Sequence, residues 1–182
     1  MKSVLVIMAP GFEEIELTAP VDILRRLDYE VVTAGLESRS VKGAHGITMQ
    51  ADSLLVDAEE KNFDAIMLPG GPASWTLRDT PRVKKLVQEF AAAGKVVSAI
   101  CAAPIALEAA GVLKERRVTC YPSVKAELTS AAEVTDEPAV TDGTLVTGRG
   151  PGAALAFGYA LAAALGTSAD KAEQLKGDMC AR

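Results

Sequence analysis

A cysteine ends one of the apolar runs of this chain. In Val96-Val97-Ser98-Ala99-Ile100-Cys101-Ala102-Ala103-Pro104-Ile105-Ala106-Leu107 a strand-length stretch stops at Cys101 and an alanine-rich segment of helical character begins. The pattern predicts a strand-to-helix elbow with Cys101 on the turn, an arrangement like the nucleophile elbow of α/β hydrolases with sulfur in place of the serine oxygen. Unpaired N–H groups and the positive end of the following helix would stabilise a thiolate and lower its pKa. The N–H of Ala102 would also be placed to hold an oxyanion formed when sulfur attacks a carbonyl. The competing reading is a small thiol packed in a core, the fate of most free cysteines.

Two further turns bear on that choice. Leu68-Pro69-Gly70-Gly71-Pro72 follows another apolar run directly, and there Gly71 would let a backbone N–H approach the thiol as a second donor; the alternative is a plain Pro-Gly loop. After the first apolar run comes Gly11-Phe12-Glu13-Glu14-Ile15-Glu16-Leu17. Acids in a first helical turn complement the helix dipole, and Glu13 and Glu14 are read that way. Glu16 lies among Ile15, Leu17 and Ala19, so it is expected to point inward, where desolvation raises a carboxyl pKa. Beside Cys101 it would act as general acid and base.

These turns need strands to carry them. Strands are predicted at Val4-Met8, Glu30-Ala34, Ala65-Leu68, Val96-Ile100, Val118-Cys120 and Leu145-Thr147, with a hairpin across Ser40-Leu55. Helices are predicted at Ile15-Leu27, Pro81-Ala93, Pro104-Ala110, Val124-Leu128, Gly152-Leu165 and Ser168-Lys176. Thr80-Pro81 reads as a helix start, with Thr80 capping and Pro81 at the first helical position. The alternation is that of an α/β fold with a mostly parallel sheet, whose strand C-terminal ends are where such folds place their sites.

At 182 residues and 19.0 kDa the chain suits one domain, 1–182, with no repeat or linker to divide it. No apolar run approaches the ~18 residues of a membrane span. The opening Met1-Lys2-Ser3-Val4-Leu5-Val6-Ile7-Met8 runs into Gly11 and acids rather than a cleavage site, so it reads as the first strand of a cytoplasmic protein. Net charge is −5, against the basic surface that nucleic-acid binding requires. Cys101, Cys120 and Cys180 have no paired spacing, and with one histidine, His45, they form no metal-ligand cluster in the sequence. No GxGxxG or GxxxxGK[ST] motif follows a strand, so no nucleotide or flavin cofactor is expected.

Taken together, Glu13-Glu14-Ile15-Glu16 with Pro20-Val21-Asp22, Leu68-Pro69-Gly70-Gly71, Ala99-Ile100-Cys101-Ala102-Ala103-Pro104 and Arg149-Gly150-Pro151-Gly152 resemble the ThiJ/PfpI superfamily, in the branch of YajL and the parkinsonism-associated protein deglycase. The resemblance runs through almost the whole chain. It implies a flavodoxin-like three-layer sandwich, a homodimer, Cys101 as reactive cysteine, Glu16 as its hydrogen-bond partner, and Gly70, Gly71 and Ala102 around the reacting atom. Some branch members carry a histidine near the thiol where this chain has Tyr121, which is therefore placed in the substrate-binding set. His45 is expected at the surface or a dimer contact. The histidine that follows the cysteine in the protease-like branch is replaced by Ala102, which disfavours peptidase activity. Cys120 is expected to be a buried thiol, with a disulfide to Cys101 the minority alternative; Trp75, just beyond Pro72, is read as a packing residue, with a substrate clamp at the loop rim the alternative.

The function that the resemblance implies is a glutathione-independent glyoxalase or deglycase in stress protection. Its partners would be small aldehydes such as methylglyoxal or glycated protein groups, and no cofactor, metal, nucleic acid or membrane is expected. The alternative is a redox-sensing or chaperone-like protein acting through oxidation of Cys101. Both need the same reactive thiol, and only turnover separates them.

Overall fold

The computed structural model describes residues 2–58 and 61–181. Four consecutive-in-space apolar strands form its centre: β1 (Ser3–Met8), β6 (Ala65–Leu68), β7 (Val96–Ile100) and β11 (Leu145–Gly148), buried along their whole length. Strands covered on both faces have no polar side to show, which is why they read as unbroken apolar runs rather than as alternation. The one hydroxyl in β7, Ser98, is satisfied by donating to the Ile66 carbonyl at 2.9 Å.

Outward from this centre lie β2 (Glu30–Gly35) and β5 (Ser53–Leu54) on one side and β10 (Ala139–Asp142) on the other. The resulting seven-stranded sheet has the order β10-β11-β7-β6-β1-β2-β5, with only β10 antiparallel to its neighbour. From β1 the chain crosses through α1 (Glu14–Arg26) to β2. From β6 it crosses in the opposite direction through α3 (Ala73–Asp79) and α4 (Pro81–Ala92) to β7. Right-handed crossovers running in opposite directions put their helices on opposite faces. α1 packs with α6 (Ala154–Ala164) on one face, and α3 and α4 pack with α5 (Pro104–Ala109) on the other. The chain reverses direction between β6 and β1, and in open sheets that reversal opens a crevice at the strand C-terminal ends.

Several expectations are corrected. Ser40–Lys42 (β3) and Thr48–Gln50 (β4) do form an antiparallel hairpin, but the rest of the segment turns back to give β5 at the edge of the main sheet, followed by the short α2 (Leu55–Ala58). The strand expected at Val118-Cys120 is β8 (Arg117–Thr119), outside the main sheet, and it pairs with an unforeseen β9 (Glu133–Thr135). Val124-Leu128 is not α-helical: Pro122–Glu127 winds as a 3₁₀ helix. Thr80 stands at the start of α4, but its hydroxyl donates back to the Thr76 carbonyl at 2.6 Å instead of capping, because α3 ends immediately before it. The chain closes with α7 (Ala169–Asp178), capped by Ser168, and no helix among the described residues is long and apolar enough to cross a membrane.

Gly158 sets the closeness of α1 and α6. A Cβ there would lie 2.7 Å from Ile23 Cδ1 and 3.0 Å from Pro20 Cα. Alanine would gain about 1 kcal/mol of helix propensity, yet overpacking costs ~1–3 kcal/mol. Gly158→Ala is expected to lower the thermal midpoint by a few degrees, ~2–4 °C per kcal/mol in a chain of this size, as read by a calorimetric melt.

Candidate active site

Three loops leave the C-terminal ends of the adjacent strands β1, β6 and β7 and meet. The β1 loop is held by Gly11 N–H donating to Lys42 O at 2.8 Å and by Ala73 N–H donating to Gly11 O at 3.1 Å. Glu13 N–H donates to Gly70 O at 3.0 Å, which joins the β1 and β6 turns. In the β6 turn Gly71 has φ +80, the left-handed region, and any Cβ on Gly70 would collide with Glu16 Oε2, Cys101 Cβ and the Ile100 carbonyl. The two glycines therefore let main chain lie directly against the sulfur-bearing residue.

Cys101 ends β7 with φ 66, a conformation that non-glycine residues rarely adopt. Both its backbone groups are engaged: its N–H donates to Gly148 O at 2.9 Å, and Tyr121 N–H donates to its carbonyl at 2.7 Å. Clamped on each side, the residue holds a strain of ~1–3 kcal/mol and projects its side chain into the crevice. The backbone N–H groups of Gly71 and Ala102 favour the ionised sulfur and act against its burial. Glu16 is fully buried on α1 and accepts from Gly70 N–H through Oε2 at 3.0 Å. Its other oxygen, Oε1, has no hydrogen-bond partner among the described residues, while the carboxyl as a whole is coupled to the Cys101 thiol.

The electrostatics divide the expectations. Desolvation pushes Glu16 up to about 7, against hydrogen bonds from Cys101 and Gly70 that lower it. The same burial pushes the Cys101 thiol up to about 12, reinforced by the charge and hydrogen bond of Glu16 and only partly offset by the Gly71 and Ala102 N–H groups. A thiol pKa lowered by the elbow is thus corrected. α5 is six residues long and begins three residues beyond the cysteine, and the burial of the thiol, with the Glu16 carboxylate second, outweighs it. The relation is conditional on one proton: once Glu16 holds it, repulsion vanishes and the carboxyl O–H can donate to sulfur. In the singly protonated pair the proton rests on Cys101, with Glu16 the base that can take it.

Around the sulfur is a cavity of about 340 Å³ lined by Glu13, His45, Gly71, Trp75, Cys101, Ala102, Tyr121 and Pro151, among others. The structure thus brings Cys101, Glu16, Gly70, Gly71, Ala102 and Tyr121 to one place. Trp75 is 39% exposed on the cavity wall, the rim position, not the packed one. Two further roles escaped the sequence. Glu13 lines the cavity and caps α1, accepting from Ile15 N–H. Glu14 does more than complement the dipole: its Oε1 accepts from His45 N–H at 2.8 Å and Ile47 N–H at 3.3 Å, fastening the β3–β4 hairpin to α1. Cys120 is buried and Cys180 exposed, both as free thiols.

His45 is exposed, yet its Nδ1 lies 3.0 Å from both Glu13 Oε2 and Glu14 Oε2. The absence of a ligand cluster in the sequence is corrected to that extent, since these three residues have the types and closeness of metal ligands. His45 and Glu14 are already joined by hydrogen bonds, with Glu13 at ion-pair distance, and we read them as a latch for the cavity rim. The hydrogen bond and charge of Glu14, with the charge of Glu13, raise the His45 pKa above 6.5; burial would raise Glu14, but the hydrogen bonds from His45 and Ile47 prevail and lower it. The histidine contribution is complete below its unfolded pKa and fades as pH rises through the raised value. The Glu14 contribution is complete above 4.5 and fades as pH falls through the lowered value. The latch is firmest between those limits. An NMR titration should place His45 above 6.5 and Glu14→Gln should return it toward 6.5; an ordinary value in the parent protein would contradict the latch.

Residues 2–164 match the model of the DJ-1/PfpI family. The dj-1beta protein of Drosophila melanogaster is 37% identical over 179 residues, 97% of this chain and 96% of that protein. Its crystal structure superposes with a TM-score of 0.94 at 35% identity, covering 100% of this chain and 98% of that one. A Caenorhabditis elegans protein named a glutathione-independent glyoxalase is 36% identical over 86% of this chain and 84% of its own length. A Pyrococcus abyssi protein named a deglycase is 35% identical over 82% of this chain and 90% of its own length. The DJ-1 homolog B of Arabidopsis thaliana is 36% identical across this whole chain, which spans 42% of that longer protein.

Proposed function

This chain belongs to the DJ-1/PfpI family, and from that premise and the geometry of the Cys101 pocket we propose that it converts methylglyoxal and related α-oxoaldehydes to hydroxy acids without glutathione. The observation that carries the reading is the burial of Glu16 and Cys101 against the same Gly70 turn, with Cys101, Gly71 and Ala102 lining one cavity. The glyoxalase and deglycase names of relatives near 35% identity point the same way.

In this mechanism the proton of the pair moves to Glu16 and the Cys101 thiolate adds to the aldehyde carbon, C1. A sulfur–carbon bond forms and the aldehyde oxygen takes up a proton, giving a hemithioacetal. The N–H groups of Gly71 and Ala102, in the same cavity as Cys101, would stabilise the oxygen on which charge develops. Glu16 as carboxylate then removes the C1 hydrogen as a proton, giving an enediolate whose O1 proton passes to O2, and returns the abstracted proton to C2. C1 has been oxidised and C2 reduced, so no external oxidant is consumed. Water cleaves the resulting thioester, releasing lactate and restoring the thiol. A carboxyl with pKa about 7 suits both directions of transfer near neutral pH. Removal of early glyoxal adducts from protein groups would use the same pocket, either directly or by depleting free aldehyde.

The test is the amount of lactate formed per protein from methylglyoxal in glutathione-free buffer. Many turnovers support the enzyme. Aldehyde loss equal to the protein added, with no lactate, would replace it with the redox-sensing reading.

A further inference from the structure

Beyond the Cys101 cavity lies a second depression of about 400 Å³, and the two share Tyr121 and Pro151 as a common wall. Tyr121 is anchored to the reacting residue by its N–H bond to the Cys101 carbonyl at 2.7 Å, and its side chain is 45% exposed, so the wall is low. Each cavity is of a size that holds ligands larger than a three-carbon aldehyde, for which pockets of ~300–1,000 Å³ are the usual range. The far depression is walled by Tyr121, Pro122, Pro138 and Pro151, rigid flat surfaces suited to an aromatic or apolar group.

Its polar end is Arg149 with Asp136. Arg149 donates to the Asp136 carbonyl at 2.6 Å and lies 3.3 Å from its carboxylate, which Lys125 approaches at 3.9 Å. Two cations thus share one carboxylate, and the neighbouring Glu137 is already bound to Arg117. Arg117 also pairs with Glu133 at 3.1 Å, so the surrounding charges balance, but Arg149 itself lines the depression with its side chain 40% exposed and guanidinium donors to spare. We propose that this depression is the subsite for the substituent of the substrate, favouring α-oxoaldehydes whose substituent is apolar and ends in an anionic group, with Tyr121 and Arg149 as specificity-determining residues. The inference rests on the α-oxoaldehyde reading for its substrate class, but the subsite can be tested apart from turnover.

Unreactive hydroxy acids of the product type serve as probes, because aryl oxoaldehydes would modify arginine. Calorimetry on the full chain should find mandelate bound about tenfold more tightly than lactate, equivalent to ~1.4 kcal/mol, and 4-carboxymandelate several-fold more tightly again. Tyr121→Ala should erase the first gain and Arg149→Met the second, while Arg149→Lys, which keeps the charge, retains most of it; a thermal melt of each variant establishes that it is folded. Equal binding of the three acids, or a carboxylate gain that survives Arg149→Met, would overturn the subsite. Ordered binding with no lactate formed from methylglyoxal would leave the subsite standing and remove the reaction.

Discussion

Replacing Cys101 by serine is expected to reduce lactate formation at least ~10³-fold, to a level indistinguishable from buffer, while the protein melts within a few degrees of the parent. The side chains are nearly isosteric, and the backbone clamp from Gly148 and Tyr121 does not involve the sulfur, so the elbow should survive. What is lost is a nucleophile able to ionise beside a carboxyl of pKa about 7, because a serine hydroxyl holds its proton far more tightly. Chromatographic quantification of lactate measures this directly. Wild-type-like turnover by Cys101→Ser would end the mechanism, whatever the aldehyde loss.

Glu16→Gln should cost ~10²–10⁴-fold in kcat/KM, the range for removing a positioned acid and base. It should also change the shape of the pH profile. In the parent, activity should rise through about pH 7 as the pair sheds its first proton and becomes able to share the second. Glutamine removes that limb and leaves a lone thiol, relieved of the carboxylate charge that helps hold it near 12. A merely structural role for Glu16 would lower the rate without moving the limb.

Stability gives an independent reading of the same carboxyl. Its folded pKa lies above the 4.5 of the unfolded chain, so the native state binds the extra proton and stability falls as pH rises between 4.5 and about 7. The shift corresponds to roughly 3 kcal/mol lost above pH 7. Denaturant melts at pH 5 and pH 8 should differ by about that much more in the parent than in Glu16→Gln. Equal pH dependence would show that the carboxyl is not held protonated by burial.

Much of the scaffold was legible because its strands are bounded by abrupt chemistry. Ala65–Leu68 stops at Pro-Gly-Gly and Val96–Ile100 at the cysteine turn, and both have the predicted ends. Glu133–Thr135 and Ala139–Asp142 were hidden because they are partly exposed and interspersed with acids and Pro138, so neither alternation nor an apolar run marks them. Ala73–Asp79 follows Pro72 with Ser-Trp-Thr and resembles a loop until it is packed on α5. The convergence of Glu16, Gly70 and Cys101 was foreseen from turns after successive strands. The bonding of Glu14 to His45 was not, since it spans 31 residues and exists only because the hairpin folds back over α1. The direction of the Cys101 shift was missed for a related reason: a sequence reveals the N–H groups next to a thiol in the chain, but not the depth at which the thiol itself will be buried, nor the distant carboxylate that is buried with it.

The way the large sheet ends on its α1 side has a bearing on crowded solution. Its outermost strand there is the two-residue β5, which passes straight into α2. A neighbouring molecule seeking to extend the sheet at β5 would find almost no row of free amides to copy, so this end of the sheet is a poor template for strands of another molecule.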